Sequence, residues 1–309
     1  MAKKKLTKAE KQLRKQHKKA QRRLRREDFR LSMAFLSPSL IGVSVFFILP
    51  FFVVVYYSLI DGVTTRNFVG LQNFVELFHN SAFLLATKNT LHFSLIAVPL
   101  AVVLAIVLAL MLEARIPMKS AFRSFFLSPM MVPVASVVLI WQVLFNYNGT
   151  VNELIVLLGG EKVDWLLSDH AQIVVMILFL WKNLGYNMIL FMSALSNIPK
   201  ELLEVADVEG AGEVYKFFNI KLRYLSPTIL FVTILSLINS FKVFREVYLL
   251  AGDYPYESLY MLQHFMNNTF KSLDYQKLSS AAVVMAIVLV VIIWLLFKLD
   301  DWFGKDIEG

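Results

Sequence analysis

Residues 89–112 read NTLHFSLIAVPLAVVLAIVLALML and contain no Lys, Arg, Asp or Glu. As a helix with a rise of about 1.5 Å per residue, a run of this length spans about 36 Å, which exceeds the roughly 30 Å hydrocarbon core of a bilayer. Similar uncharged runs occupy residues 31–60, 124–152 and 278–297. Each of these runs is therefore predicted to cross a membrane as a helix.

Two further apolar runs, 171–195 and 224–250, have a similar length but contain Lys182, Lys242 and Arg245. Hydrophobic residues make up 57% of the chain, whereas an ordinary soluble domain has roughly 45–50%. The runs together predict an all-α membrane protein with six transmembrane helices. The predicted spans are about 33–60, 89–112, 124–147, 171–195, 226–250 and 278–299.

Basic residues are concentrated on one side of the predicted spans. The tail 1–32 contains 14 Lys or Arg and has a net charge of +11, whereas the whole chain has a net charge of +8. Segments on the side of this tail hold 23 Lys or Arg, and the opposite segments hold five. Because positively charged loops stay in the cytoplasm, both termini are predicted to be cytoplasmic, in the cell (inner) membrane.

The charge distribution and the apolar runs divide the chain into three parts. A basic cytoplasmic tail is predicted at 1–32, a six-helix transmembrane domain at 33–300 and a short cytoplasmic tail at 301–309. The basic tail is expected to anchor the chain at anionic lipid. Nucleic-acid binding would require a folded or aromatic reader beside the basic block, and the tail has a single aromatic residue, Phe29.

Prolines and polar segments refine this topology. Pro38 and Pro50 are expected to kink or interrupt the first span, because proline lacks a backbone N–H and clashes with the preceding turn. The third span also contains two prolines, Pro129 and Pro133. Outer loops are predicted over 61–88, 148–170 and 251–276.

The sequence lacks the patterns of an enzyme. Its five histidines are scattered without a metal-ligand spacing such as H-E-x-x-H, and it has no cysteine and no G-x-S-x-G turn. It also has no G-x-x-x-x-G-K-S/T phosphate-binding loop. The chain is therefore predicted to be a transport subunit without metal, cofactor or ATPase site. If ATP drives transport, another chain must hydrolyse it.

The longest predicted inner loop, 196–225, begins SNIPKELLEVADVEGAG. Asn197 is predicted to cap a helix, and Pro199 suits the first helical turn, where a missing N–H has no cost. The helix is expected to end at Gly210 and Gly212, and a second short helix is expected over 213–221.

One face of the predicted loop helix is small and mostly apolar. A loop that faces water has no need of such a stripe, which is typical of a docking element. The alternative is that the stripe packs under the spans of the same chain. The stripe consists of Leu202, Val205, Ala206 and Glu209.

Polar side chains within spans 4 and 5 predict a solute path, because such groups are costly in a membrane unless they face a cavity or a partner. Lys182 lies near the middle of span 4. In span 5, Lys242 and Glu246 are close enough to pair. The alternative is that the charged end of span 5 extends to the membrane interface. The polar stripe of span 5 comprises Ser236, Asn239, Lys242 and Glu246, with Arg245 beside it.

The stretch EVADVEGA at 204–211, followed by Ile220, Leu222 and Pro227, resembles the EAA loop of permeases in binding-protein-dependent ABC importers. The flanking segments LSNIPKEL and SPTILF are similar to those of the sugar-importing branch, which is related to the maltose permeases. Further similar stretches are FVGLQNF at 68–74, NTL at 89–91 and INSFKVF at 238–244.

The resemblance implies a type I ABC importer permease fold with a cytoplasmic coupling helix in the EAA loop 196–225. The implied ATPase-coupling residues are Glu204, Ala206, Asp207, Glu209, Gly210 and Ala211. It also implies a sugar site, formed by stretches of spans 4 and 5. The predicted substrate path comprises Asn187, Met188, Asn239, Ser240 and Lys242, to which the position of Lys182 within the membrane adds that residue.

Several partners follow from the resemblance. They are a second homologous permease, two cytoplasmic ATPase subunits that bind the ATP, and an extracytoplasmic solute-binding protein. The expected solute is a sugar or oligosaccharide.

Three other functions are open to the same sequence. Lys182, Lys242 and Arg245 also suit an importer of an anionic solute, such as a phosphorylated polyol or an acidic oligosaccharide. A six-span membrane enzyme would need the catalytic groups that the sequence lacks. A secondary transporter often has internal repeats and more spans, and no repeat is evident here.

Overall fold

The structure is a computed structural model that describes residues 28–113 and 118–304, with side chains as far as Asp301. Apart from an isolated antiparallel bridge between Ile60 and Phe68, the regular structure of these residues is helical. The predicted all-α class is therefore confirmed. Most of the predicted tail 1–32, the inner turn at 114–117 and residues 305–309 lie outside the described residues.

The helices are numbered here in chain order. They are α1 (Asp28–Ser58), α2 (Gln72–His79), α3 (Ser81–Glu113), α4 (Lys119–Met131), α5 (Val134–Leu144), α6 (Thr150–Leu157), α7 (Ala171–Ser196), α8 (Lys200–Val208), α9 (Glu213–Lys216), α10 (Leu222–Phe241), α11 (Phe244–Ala251), α12 (Leu262–Lys271) and α13 (Tyr275–Gly304). A π-helical segment, Phe217–Lys221, joins α9 to α10 without a break.

The described chain contains five helical stretches that are long and apolar enough to cross a membrane, namely α1, α3, α7, α13 and the stretch Glu213–Ala251, which comprises α9, α10 and α11. A sixth span is present if α4 and α5, which meet at 99°, are counted together. The span predicted over 124–147 is therefore broken. Pro133 disfavours helical geometry at Val132, which is extended with φ −86° and ψ 130°.

The chain forms two compact units, of which the first ends at Tyr57. Its described part is α1 as far as Tyr57, and neither Pro38 nor Pro50 interrupts this helix. The helix instead widens to a π-helix over Ser44–Ile48, directly before Pro50. Proline clashes with the carbonyl group four residues before it, and one extra residue in the turn relieves the clash. The predicted distortion is therefore a local widening and not an interruption.

The segments predicted as outer loops contain helices of their own. The helix predicted to begin at residue 89 begins at Ser81, and α2 precedes it. The other two segments contain α6 and α12. The start of α3 contains Lys88, which a helix tolerates where it extends beyond the hydrocarbon core. The helices α2, α6 and α12 are short and contain charged residues, so they form no uncharged run.

In the second unit, which begins at Ser58, α3 packs more extensively against α7 than any other two helices pack together. Small side chains let two membrane helices approach closely, so that dispersion forces hold them together. The bulkier Phe179 and Phe191 of α7 fill the space around the small side chains. Four fully buried alanines of α3 follow one another at intervals of four residues: Ala97, Ala101, Ala105 and Ala109.

Gly185 lets the backbone of α7 contact the backbone of α4. A Cβ atom at this position would lie 1.8 Å from the carbonyl oxygen of Phe126, far inside van der Waals contact. Because α4 is the first half of the broken span, the close approach at Gly185 fixes the position of that span against α7.

We expect Gly185→Ala to destabilise the protein by at least the 1–3 kcal/mol or so that is typical of overpacking, because the obstructing atoms belong to the backbone. The melting temperature of the detergent-purified protein measures this loss. Gly212→Ala is the matched control, since a Cβ atom there has no neighbour within 4 Å. Equal melting temperatures for the two variants would contradict the close contact between α7 and α4.

Candidate functional site

A polar cavity of about 270 Å³ lies between α7 and the junction of α10 with α11. Lys182 lies eleven residues into α7, which places it about 17 Å along a helix about 39 Å long, near the middle of the span. The cavity is lined by Met130 of α4, by Phe179, Lys182 and Asn183 of α7, and by Asn239, Lys242, Val243, Arg245 and Glu246. We call this space the polar cavity.

The junction of α10 with α11 supplies most of the charged wall. The amide of Lys242 still bonds to the carbonyl oxygens of Ile238 and Asn239, after which Lys242 and Val243 form a turn. The helix resumes at Phe244. This turn lies inside the span, so that side chains on either side of it do not follow a single helical register.

Glu246 forms an ion pair with Lys182 of α7. The pairing predicted between Lys242 and Glu246 is therefore wrong. Residues four apart face each other on a continuous helix, but the turn at Lys242–Val243 interrupts that register. The side chains of Lys182 and Glu246 are only 23% and 10% exposed, so each charge depends on the other for compensation.

Asn183 and Asn239 form the second polar link across the cavity. The Asn239 amide donates a hydrogen bond of 2.8 Å to the Asn183 side-chain oxygen, and the Asn183 amide donates to the carbonyl oxygen of Phe179. Both side chains line the polar cavity. Asn183 was not among the predicted path residues, although its place one position after Lys182 in a span could have indicated it.

Three predicted path residues do not line the polar cavity. Asn187 is 2% exposed and donates a hydrogen bond to the hydroxyl of Ser236. Met188 is fully buried among apolar residues of α3 and α10. Ser240 is also fully buried and bonds to Ser94 of α3 at 2.8 Å. Asn187 and Ser240 thus join neighbouring helices through hydrogen bonds, and Met188 joins them through apolar contacts.

Lys242 and Arg245 have a different environment from Lys182. Both side chains are exposed and line the polar cavity. Neither has an ion-pair or hydrogen-bond partner for its side chain among residues 28–113 and 118–304. Because Lys182 and Glu246 compensate each other, the cavity keeps two uncompensated positive charges.

The second polar region is the loop that contains α8. This helix begins at Lys200, with Pro199 as its N-cap, so the predicted capping by Asn197 is wrong. Asn197 instead follows the end of α7, where its amide bonds to the carbonyl oxygen of Ala194. The second short helix predicted over 213–221 is also not separate, because it continues into α10.

The C-terminus of α8 has the geometry of a Schellman motif. Gly210 has a φ of +79°, which a residue with a side chain rarely adopts. Its amide bonds to the carbonyl oxygen of Asp207, and the amide of Ala211 bonds to that of Ala206. The predicted end of the helix at Gly210 is therefore confirmed. The helix ends there because the motif requires a left-handed backbone conformation, which glycine adopts without strain.

The faces of α8 divide between the protein and solvent. Ala206 is 7% exposed and packs inward, whereas Leu202 and Val205 are 41% and 56% exposed. The alternative, that the stripe packs under the spans of its own chain, therefore does not hold for Leu202 and Val205, whose exposure is what the predicted docking stripe requires. The remaining predicted coupling positions Glu204, Asp207, Glu209 and Gly210 are exposed, and Ala211 is half-buried.

Lys216 ties α8 to the helix that follows it. Its ammonium group lies 2.6 Å from Asp207 of α8 and 2.5 Å from Glu213. The residue itself is only 7% exposed. No local sequence pattern indicates this role of Lys216, because Asp207 is nine residues away and lies across a turn.

A chain with several apolar spans, a charged cavity between two of them and an exposed helix in a loop has the design of a membrane transport subunit. The family model described as "binding-protein-dependent transport system inner membrane component" matches residues 97–309. The chain belongs to this family, and it is a multi-pass membrane permease and not an enzyme.

Known relatives match most of the chain. The sulfoquinovosyl glycerol transport system permease SmoG of Agrobacterium fabrum is 31% identical, over 82% of this chain and 85% of the relative. The trehalose/maltose transport system permease MalF of Thermococcus litoralis is 29% identical, over 92% and 98%. The fold is similar to a crystal structure of a bacterial ABC transporter involved in import of the acidic polysaccharide alginate, with a TM-score of 0.77, 22% identity and coverage of 90% and 98%.

We expect Lys182→Met and Glu246→Gln each to lower stability by about 3–5 kcal/mol, because each leaves a buried charge without its partner. The double variant, which has neither charge, should recover most of this loss. Melting temperatures of the four detergent-purified proteins form a double-mutant cycle. A double variant whose loss equals the sum of the two single losses would contradict a direct pair.

We expect Lys216→Met to increase amide hydrogen exchange across α8 by about tenfold, because α8 loses a charge-assisted hydrogen bond to the following helix. Exchange within α7 should not change. Lys200→Met is the matched control, since Lys200 is an exposed residue of the same helix. Unchanged exchange in α8 of the Lys216 variant would show that other contacts hold this helix.

Proposed function

We propose that this chain is one of two permease subunits of an ATP-driven importer for a sugar or oligosaccharide, and that it forms half of the translocation path. Membership of the family indicates that the importer depends on a solute-binding protein. Both termini and α8 are assigned to the cytoplasm, because the segments on that side carry most of the basic residues.

The observation that carries the proposal is the exposed and firmly anchored helix α8. Lys216 holds it from one side and the Schellman motif at Gly210 ends it sharply. Leu202 and Val205 remain exposed, and Val208 is 90% exposed. An apolar helix face of this kind is suited to a groove in a partner protein. We assign that groove to a cytoplasmic ATPase subunit.

The proposed coupling residues divide into two groups. Ala206 and Ala211 keep α8 close to its own chain, because a larger side chain at either position would push the helix outward. Glu204, Asp207 and Glu209 form an acidic exposed surface, and Asp207 also holds Lys216. In this arrangement, the turn at Gly210 sets the direction of the chain between α8 and α9.

The remaining partners are proposed from the same design. Two ATPase subunits would close when they bind ATP, and a second, homologous permease would complete the path. A structural relative is described in complex with an alginate pentasaccharide-bound periplasmic protein, which supports an equivalent solute-binding protein here. ATP can drive the transition only because it binds one global state better than the other, since equal affinity shifts no population.

The polar cavity is the proposed location of the solute in the membrane. Asn183 and Asn239 present amide groups, which donate and accept hydrogen bonds as sugar hydroxyl groups require. Lys182, Asn239 and Lys242 of the predicted path line this cavity. The names of the relatives include both a neutral sugar system and an acidic polysaccharide system.

We expect Gly210→Trp to leave membrane insertion intact but to uncouple uptake from ATP hydrolysis. A Cβ atom at Gly210 has no neighbour within 4 Å, so the new side chain begins in open space and its indole obstructs the proposed docking surface. Any side chain at this position also strains the backbone, because φ is +79°. Uptake and ATPase activity of the complete importer in proteoliposomes measure the effect.

Gly210→Asn is the matched control, because asparagine tolerates a positive φ and is much smaller than tryptophan. It should retain most of the uptake. Normal uptake by the Gly210→Trp importer would contradict the coupling role of α8. Equal losses of uptake in both variants would show that the defect comes from the positive φ at this position and not from the size of the side chain.

A further inference from the structure

We infer that the imported solute carries an acidic group (a carboxylate, phosphate or sulfate) and that Lys242 and Arg245 bind it in the polar cavity. The inference rests on the proposed import function and specifies the chemical class of the solute. It also gives the three cations of the cavity two roles: Lys182 forms the ion pair with Glu246, and Lys242 and Arg245 bind the solute.

Lys182 is excluded as the main anion ligand by its ion pair. Its partner Glu246 is the one carboxylate that lines the polar cavity. If an acidic solute took Lys182 from Glu246, it would leave that largely buried carboxylate without a partner. The structure therefore assigns this pair to holding α7 against α11.

Lys242 and Arg245 are the cations that remain available. Lys242 lies in the turn between α10 and α11, Arg245 lies two residues after that turn, and both line the cavity. Within the two described ranges, no acidic side chain compensates either of them. A positive charge inside a membrane protein is costly unless a cavity or a counter-ion accommodates it, and two such charges close together attract an anion.

The chemistry of the two side chains fits an acidic group better than a hydroxyl group. A neutral sugar requires hydrogen-bond donors and acceptors, which Asn183 and Asn239 offer without any net charge. Arg245 can donate two parallel hydrogen bonds to a carboxylate, phosphate or sulfate, and Lys242 adds a second positive charge. A neutral solute would leave both cations uncompensated, whereas an acidic solute supplies the negative charge that they lack.

An anionic lipid headgroup offers the same chemistry as an acidic solute. The two sources can be distinguished in a bilayer without anionic lipid. In such a bilayer, the uptake rate depends on Lys242 and Arg245 only if these residues bind the solute. The experiment therefore has one arm for the identity of the solute, one for the side chains and one for the lipid.

The first arm uses the complete importer, purified with its own solute-binding protein. The small molecule released from that binding protein is analysed by anion-exchange chromatography and mass spectrometry. We expect it to carry at least one acidic group at neutral pH. A neutral molecule would overturn the inference but would leave the proposed import function intact.

The second arm measures ATP-dependent uptake of the identified molecule at saturating binding protein. We expect Lys242→Gln and Arg245→Gln each to lower the uptake rate by about tenfold, as for loss of a charge-assisted hydrogen bond, and Lys242→Arg to retain most of it. Lys88→Gln is the control, because Lys88 is an exposed cation that does not line the cavity. Unchanged uptake in the Lys242→Gln and Arg245→Gln importers would overturn the inference.

The third arm repeats the uptake in vesicles of phosphatidylcholine alone and in vesicles with added phosphatidylglycerol. The ratio of variant to wild-type uptake should be the same in both. A defect that is found only with phosphatidylglycerol would overturn the inference in favour of a lipid headgroup. The proposed function fails separately, through loss of ATP-dependent uptake by the wild-type importer in both kinds of vesicle.

Discussion

The structure of the second unit depends on one constraint, namely that polar groups within a membrane must find their partners inside the protein. Four side-chain pairs between α3 or α7 on one side and α10 or α11 on the other meet this constraint, and each joins two different helices. Because each pair is directional, it sets how the two helices are rotated about their axes, while the alanines of α3 set only how closely they approach. The pairs are Lys182 with Glu246, Asn183 with Asn239, Asn187 with Ser236 and Ser94 with Ser240.

The sequence predicted the spans well because an uncharged run of more than 20 residues has few alternatives to a membrane helix. It predicted the pairs poorly, because pairing depends on the register of a helix. Lys242 and Glu246 would face each other on an unbroken helix, but the turn at Lys242–Val243 directs Glu246 to α7 instead. The burial of Ser240 and Asn187 depends on α3 and α10, and no local pattern specifies those neighbours.

The loop that contains α8 was likewise predictable where a single residue determines the backbone, and not where contacts with other helices do. The end of α8 was predictable because Gly210 occupies a backbone conformation that few other residues tolerate. The side of α8 that faces its own chain was not predictable, since Ala206 and Val205 are adjacent in sequence and similar in character, yet only Ala206 is buried. The role of Lys216 emerges only when the turn brings Asp207 back to it.

The helical path from Glu213 through the π-helical segment to Phe241 continues without a break, and the polar cavity adjoins its far end. Its 29 residues form a rod about 43 Å long, so a tilt of about 5° at one end displaces the other by about 4 Å. Such a displacement is comparable to the width of a sugar ring. The rod thus has the geometry of a lever: a small rotation at its Glu213 end, where Lys216 joins it to α8, shifts the wall of the polar cavity at the other end by a few ångströms.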